Sequence, residues 1–415
     1  MISQGCPEKQ AAFHRRGRAR FAPQWRMDVT APLALLGGQT PAQFMRRHWH
    51  KKPLLVRQAA PGVEPPATRQ QLFALAGRDD VESRMVTRSG SDAWQLRRGP
   101  FGRRSLPPLA RQGWTLLVQG LDLHVSAAHE LLSRFRFVPD ARLDDVMISY
   151  ASDGGGVGPH LDAYDVFLLQ VQGRRRWRIG RVQDDRLVEG LPLKILQHFK
   201  PEQEWVLEPG DMLYLPPRWG HDGVAVGGDC MTCSVGFRSS SVAELAGELL
   251  ARLADTDTEG GGPHAARRYR DPGQPATNTP GLIPMDLQHF ARQAVQSVLA
   301  SPRRLEAALG EWLTEPKPNV WFETGPVSLR AGQGVHLHPR TRMMYDAHHV
   351  FINGESFRAS GREAGLMRQL ADTRALRAEQ VARLGPQARE LVEDWVAAGW
   401  VHGGPGTEAL GDHQA

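Results

Sequence analysis

SYASDGGGVGPHLDAYDVFLLQVQGRRRWRIG, residues 149–180, decides how this chain is read. Within it His160 and Asp162 form an H-x-D pair, and His221 follows in LEPGDMLYLPPRWGHDG, residues 207–223. Side chains at i and i+2 share one face of a strand, so His160 and Asp162 converge on one point if the segment is extended. Two imidazoles and one carboxylate make a facial triad, which fills three positions of an octahedral metal and leaves three open. A non-haem Fe(II) centre needs that vacancy to take a co-substrate and dioxygen, so the pattern points to an oxygenase. Each piece alone is weak, since an H-x-D pair arises by chance and a histidine near a turn is usually a packing or surface residue. Order, spacing and flanking strands carry the reading.

The surroundings agree with it. Val166 to Val171 is a short, apolar, β-prone run that stops at Gly173, and Asp153 to Pro159 is a glycine-rich loop permitting close backbone approach. Gly210 to Pro217 reads as a turn, a short strand and a second turn ahead of His221. Two strand–loop–strand units, each delivering ligands, predict a small antiparallel barrel with a metal in its mouth. After Gly173, period-two alternation puts Arg175 and Trp177 on the face opposite Arg174 and Arg176. One arginine of this run should point inward, and a buried guanidinium requires an anion. A dicarboxylate such as 2-oxoglutarate supplies it, one end chelating iron and the other gripped by the guanidinium fork. Ser149, on the preceding strand, adds a hydroxyl donor.

Together with CSVGFR (233–238), these stretches closely resemble the bacterial JmjC-type cupin oxygenases, and among them the ribosomal oxygenases that hydroxylate an arginine of large-subunit ribosomal protein L-sixteen. The likeness extends upstream through FMRRHWHKKPLLVR (44–57), VESRMVTRSGSDAWQL (81–96) and WTLLVQGLDLH (114–124), covering most of residues 29–240. It implies an α+β chain: a double-stranded β-helix (cupin/JmjC) barrel, then a helical dimerisation domain and a winged-helix-like C-terminal domain. Residue by residue, it implies that His160, Asp162 and His221 bind Fe(II) and that Arg175 grips the tail of 2-oxoglutarate as co-substrate. This chain departs from the family pattern at Ala151, where a second serine is common, and at Thr232-Cys233, where the family has Asn-Tyr. Both changes bear on the co-substrate pocket. Arg218 stands where many cupins have glycine, so the turn before His221 is expected to differ locally.

A chain of 415 residues is too long for one small barrel, and two or three domains are expected. Its net charge of +6 lies almost wholly in residues 1–26, which hold six basic residues against Glu8. That leader has no apolar core of a secretory signal. It reads either as a basic tail or as an over-long start, and Met27 is the expected beginning. Cys6, Cys230 and Cys233 are too few for a disulfide framework and fit a reducing cytoplasm; the Cys230/Cys233 pair reads as buried structural thiols. No apolar run reaches the ~18 residues of a membrane span.

Along the chain, residues 27–240 are expected to form the catalytic domain, 241–312 a helical domain, 313–403 the winged-helix-like domain and 404–415 a tail. Thr40-Pro41 opens a capped helix, whose His48 and His50 face different sides and are poor co-ligands. Ser241 and Glu244 form a capping box ahead of a helix with apolar positions Val242, Leu245, Leu249 and Leu253. Helical periodicity resumes from Met285 to Trp312, and the resemblance places dimerisation helices here, implying a homodimer. Later helices centre on Leu366–Leu376 and Ala388–Ala398, with a hairpin turn at Asn353-Gly354. Residues 311–403 hold eleven basic and eleven acidic side chains, a balance that argues against direct DNA binding. His336, His338, His348 and His349 read as a local surface cluster.

Asp153, Asp165 and Asp222 near the ligand motifs favour a cationic target, with Tyr164 as an aromatic platform for a guanidinium; equally, some of these carboxylates read as supports for the histidines or as plain loop residues. The resemblance sharpens the target to an arginine-bearing loop of a ribosomal protein. Two other readings stay open. One is a JmjC oxygenase for another residue, a histidyl hydroxylase or lysine demethylase; the other is a metal-binding cupin scaffold without turnover.

Overall fold

A computed structural model describes residues 27–404, apart from 91–92, 260–267, 273–280, 326–328 and 331. The basic leader, Cys6 and the residues after 404 lie outside the described residues, as does most of the Gly/Pro-rich stretch.

Two helices lead into the barrel, α1 (Pro41–Arg47) and α2 (Arg69–Leu75), each opened by a threonine capping box, Thr40 with Gln43 and Thr68 with Gln71. The strands are β1 (Leu54–Val56), β2 (Ser83–Ser89), β3 (Ala93–Arg98), β4 (Trp114–Val118), β5 (Leu143–Ala151), β6 (Val166–Gln172), β7 (Arg175–Arg181), β8 (Gln203–Leu207), β9 (Met212–Leu215), β10 (Trp219–Ala225) and β11 (Cys230–Phe237). A short helix, α3 (Ser126–Ser133), precedes β5. The strands form an eight-stranded sheet in the order β1-β9-β6-β11-β5-β4-β2-β3, facing a three-stranded sheet β10-β7-β8. All pairings are antiparallel, giving the expected barrel.

Burial explains which strands are central. β11 is buried along its whole length and β6 nearly so, as strands covered on both faces must be. On one side of the large sheet, Phe44 of α1 packs into an aromatic cluster with Phe167 (5.4 Å) and Tyr214 (4.9 Å). On the other, Val166, Leu168, Leu213 and Leu215 meet Trp177 and Ile179 of the small sheet. The two sheets are thereby clamped at one end, and the site lies between them.

Beyond the barrel come α4 (Val242–Glu259), α5 (Met285–Val298) and α6 (Pro302–Thr314). The Ser241–Glu244 box forms, with Glu244 N–H donating to Ser241 Oγ at 3.1 Å. Leu249 and Leu253 are buried as expected, but Val242 is exposed because the first turn of α4 projects past its neighbours. The expected single run from Met285 to Trp312 is two helices: Pro302 has no N–H to continue α5 and sits at the first position of α6 instead. α5 buries no residue against the described chain, leaving Leu282, Ile283, Met285 and Val295 exposed.

The C-terminal unit has strands β12 (Val335–Leu337), β13 (Met343–Tyr345), β14 (His349–Ile352), β15 (Glu355–Arg358), β16 (Ala375–Leu376) and β17 (Val401–Gly403), with α7 (Gly361–Thr373), α8 (Ala378–Val381) and α9 (Pro386–Ala397). Asn353 and Gly354, both at positive φ, make the predicted two-residue hairpin turn. The helix expected to run to Leu376 stops at Thr373, where Arg374 turns left-handed and releases Ala375 and Leu376 into β16. The histidine cluster also divides. The rings of His336 and His338 lie tilted against His402 of β17 at 5.5 and 5.2 Å, whereas His348 and His349 belong to the β13–β15 hairpins.

Burial holds several imidazoles neutral: His336 is depressed to about 4, His338 to about 3 and His129 to about 3, all chiefly by desolvation. In the unfolded chain these groups take a proton near ~6.5. Below that pH the unfolded state binds more protons than the native state, so stability falls as pH drops from ~6.5 towards ~4. The urea midpoint is therefore expected to be lower at about pH 5 than at about pH 7.5. An unchanged midpoint contradicts the burial of these rings.

Candidate metal centre and co-substrate pocket

The three expected ligands meet. One ligand atom from each of His160, Asp162 and His221 lies within 4.8 Å of the others. The rings of His160 and His221 are 4.2 Å apart, and His221 Nε2 is 3.5 Å from Asp162 Oδ2. His160 is not in a regular strand, as the sequence reading assumed. It lies in the loop between β5 and β6 and forms a single bridge with His221, their backbones exchanging N–H···O bonds of 3.0 and 2.9 Å. That bridge supplies the extended geometry a full strand would otherwise impose, and Asp162 follows one turn of the pleat later.

Both rings are aimed by backbone carbonyls. His160 Nδ1 lies 2.9 Å from Gly158 O and His221 Nδ1 lies 3.2 Å from Trp219 O, so each Nδ1 donates and each Nε2 is left with its lone pair for a metal. Burial, then the neighbouring His160, depresses His221 to about 4, keeping it in the neutral form a metal requires. The donor set, two neutral imidazoles and a carboxylate, fits Fe(II). Arg218 adopts φ +68°, so the turn before His221 keeps the left-handed backbone that glycine favours although its residue differs.

Directly opposed residues of β7 and β10 share a face, which puts Arg175, Trp177 and His221 on the inner face of the small sheet. Gly223 stands opposite Trp177, where a Cβ would come within 2.6 Å of the indole. From the large sheet, Ser149, Thr232 and Gln170 form a row across β5, β11 and β6. Arg175 is 3% exposed. Its guanidinium donates to Ser149 Oγ at 2.8 Å, Gly223 O at 3.2 Å and Thr232 Oγ1 at 3.4 Å, while its Nε is buried without a partner. No carboxylate bonds to it among the described residues, and desolvation pulls its pKa down. This is a cation built to receive an anion, and the tail of 2-oxoglutarate fits it.

The two departures separate cleanly. Thr232 reaches the pocket, bridging Arg175 to Gln170 Oε1 at 2.8 Å, whereas Cys233 points into the aromatic core. Ala151 packs with Ala225 and Cys230. Cys230 and Cys233 are free, buried thiols, as expected. Gln170 escaped the sequence reading, although its polar side chain inside the apolar VFLLQV run was the available signal.

Of the two readings open for the acidic residues, the structure favours the structural one. Asp153 accepts from the N–H groups of Gly227 and Gly228 and from Gln112, so its carboxylate braces two loops and is not offered to a substrate. Asp165 is fully buried among Tyr214 (2.5 Å), His50 (3.0 Å) and Arg142, and Asp222 pairs with Arg178 on the outer face, since it neighbours inward His221 on the strand. Tyr164, two residues after Asp162, is 40% exposed. An acid that sequence reading missed lies in its neighbourhood. Asp145 Oδ1 and Tyr164 Cε2 lie 3.5 and 4.0 Å from the point a Cβ on Gly236 would occupy. A β-bulge between Val235 and Phe237 places that glycine there, and no periodicity in the sequence announces it.

A barrel of this topology with an inward two-histidine, one-carboxylate triad and an anion-seeking arginine defines a JmjC-type oxygenase. The JmjC domain family matches residues 130–245 and the ROXA-like winged helix family matches residues 296–402. The ribosomal protein uL16 3-hydroxylase of Escherichia coli (strain K12) is 32% identical over 349 residues, spanning 81% of this chain and 90% of that protein. A probable ribosomal oxygenase of Haemophilus influenzae is 37% identical over 210 residues, half of each chain. The X-ray structure of E. coli YcfD superposes with a TM-score of 0.74 at 29% identity, covering 87% of this chain and 97% of that one. YcfD has also been solved in complex with cobalt and 2-oxoglutarate. The chain belongs to the ribosomal oxygenase family that includes the E. coli uL16 3-hydroxylase.

Proposed function

We propose that this chain is an Fe(II)- and 2-oxoglutarate-dependent hydroxylase of an arginine side chain in the large-subunit ribosomal protein uL16. The observation that carries the co-substrate half is Arg175, buried without an acidic partner among the described residues on the sheet face that also carries His221. The substrate half rests on kinship with the uL16 3-hydroxylase and on the closeness of Tyr164 and Asp145 to one another beside Gly236. His160, Asp162 and His221 hold the iron, the first and last locked in one tautomer by Gly158 and Trp219. With 2-oxoglutarate, bound iron supplies the oxidising chemistry. Arg175, steadied by Ser149 and Thr232, fixes the far carboxylate so that the keto acid end reaches the metal side of the pocket. Tyr164 offers its ring to the cationic side chain, and Asp145 offers an oxygen that has no hydrogen-bond partner among the described residues. Trp177 and the apolar clamp behind it keep bulk water from the pocket floor.

We further assign residues 27–240 to the catalytic domain, 241–312 to a helical domain and 313–403 to the winged-helix-like domain. The exposed apolar residues of α5 and its approach, Leu282, Ile283, Met285, Val295 and Leu299, fit a homodimer contact. No helix among the described residues is long and apolar enough to cross a membrane. A cytoplasmic place of action, beside ribosomal proteins, suits the reduced thiols. The test is direct: purified, iron-loaded protein with a uL16 peptide is expected to release succinate and add the mass of one oxygen atom to an arginine. Succinate release without that mass gain on arginine assigns a different target residue.

A further inference from the structure

Lys317 comes from the segment after α6, outside the barrel, yet its ammonium reaches two consecutive barrel acids. Nζ lies 3.1 Å from Asp144 Oδ1 and 3.9 Å from Asp145 Oδ2. Asp145 Oδ2 also accepts from Gly120 N–H at 2.9 Å, and its other oxygen faces Gly236 and Tyr164. A buried third acid, Asp122, lies in the same field. We infer that Lys317 is a positioning residue for substrate capture: it favours the charged form of Asp145 and turns it so that its second oxygen faces the cationic side chain at Tyr164. The inference rests on the proposed reading of that mouth. It makes the C-terminal half of the chain a contributor to the barrel's specificity.

The electrostatics support the geometry. Crowded acids in a low-dielectric site cannot all ionise unless a cation compensates. Asp145 is raised on balance: burial raises it most, Lys317 offsets part of that, Asp144 and Glu82 raise it further and the Gly120 N–H lowers it. Asp122, pushed up to about 7 by burial and Asp145, shows what such an acid does when its cation is more remote. The groups facing Asp145 are thus Asp144 on its own strand, Asp122 and the Gly120 N–H after β4, Glu82 before β2, Tyr164 after the ligand loop and Lys317. Arg238 lies 3.6 Å from Asp144, and Arg342 faces the same carboxylate.

The test compares full-length wild type, Lys317→Met, Lys317→Arg and Asp144→Asn, using a synthetic uL16 peptide and following arginine hydroxylation against pH. Lys317→Met is expected to raise the peptide KM about tenfold while kcat and the 2-oxoglutarate KM stay within about twofold. The acid limb of its kcat/KM profile should move to higher pH, because Asp145 then takes up its proton sooner. Lys317→Arg should restore most of the KM, and Asp144→Asn, which removes a like charge, should move the limb the other way. A wild type that leaves the arginine untouched defeats the reading of the mouth and this inference with it. A wild type that hydroxylates the peptide, with all three variants sharing its KM and acid limb, overturns the role of Lys317 alone.

Discussion

Asp162→Ala is expected to lower hydroxylation by at least ~1,000-fold and to weaken divalent metal binding in parallel, because partners one shell further out already change affinity or activity ~10–100-fold. The residue carries the only charge in the triad. Its loss leaves two neutral imidazoles, held by Nδ1 contacts of 2.9 and 3.2 Å to backbone carbonyls, whose Nε2 lone pairs cannot neutralise a dication. Titration with Mn(II) followed by electron paramagnetic resonance measures the metal, and succinate release measures turnover. Asp162 is partly exposed, with its side chain at 22%, so the fold should survive the change. A variant that binds metal as tightly as wild type and keeps more than about a tenth of its activity would remove Asp162 from the ligand set.

Arg175→Met separates function from stability in opposite directions. Truncating one side of a buried charged contact costs ~2–5 kcal/mol, so the 2-oxoglutarate KM should rise at least ~30-fold. Without co-substrate the same change removes a buried guanidinium whose Nε has no partner and whose other contacts are neutral oxygens. Replacing such a charge by an apolar side chain of similar length is neutral or stabilising by ~1–4 kcal/mol. The melting temperature of the variant, measured without 2-oxoglutarate, is therefore expected to equal or exceed that of wild type. Added 2-oxoglutarate should stabilise wild type and leave the variant unmoved. A destabilised variant with an unchanged KM would make Arg175 a structural residue and leave the dicarboxylate without its anchor.

The legible and illegible parts of this molecule differ in the range of the interactions behind them. Thr40, Thr68 and Ser241 cap helices, Asn353-Gly354 turns a hairpin, and Arg175 alternates inward, each through contacts within a few residues. Those features are local, and they were readable. The break at Pro302 is local too; the apolar period across it masked the proline's missing N–H. The acids failed for another reason. Asp153, Asp165 and Asp222 carry equal charge on paper, but loop amides, a buried tyrosine and an outward arginine claim them in turn.

By itself, the sequence determined the barrel, the His160–Asp162–His221 triad, the inward arginine and, through its resemblance, the family. Ligand identity, strand alternation and turn chemistry are written in residue order, because each depends on near neighbours and on side-chain type. Only the tertiary structure decided that His160 is held by a one-residue bridge to His221, that Thr232 and Gln170 join the arginine's pocket, and that the buried Asp145 comes close to Gly236 and Tyr164. Those outcomes depend on which strands face one another across the barrel and on a bulge at Gly236. Charge and exposure are properties of that packing, and no single segment contains them.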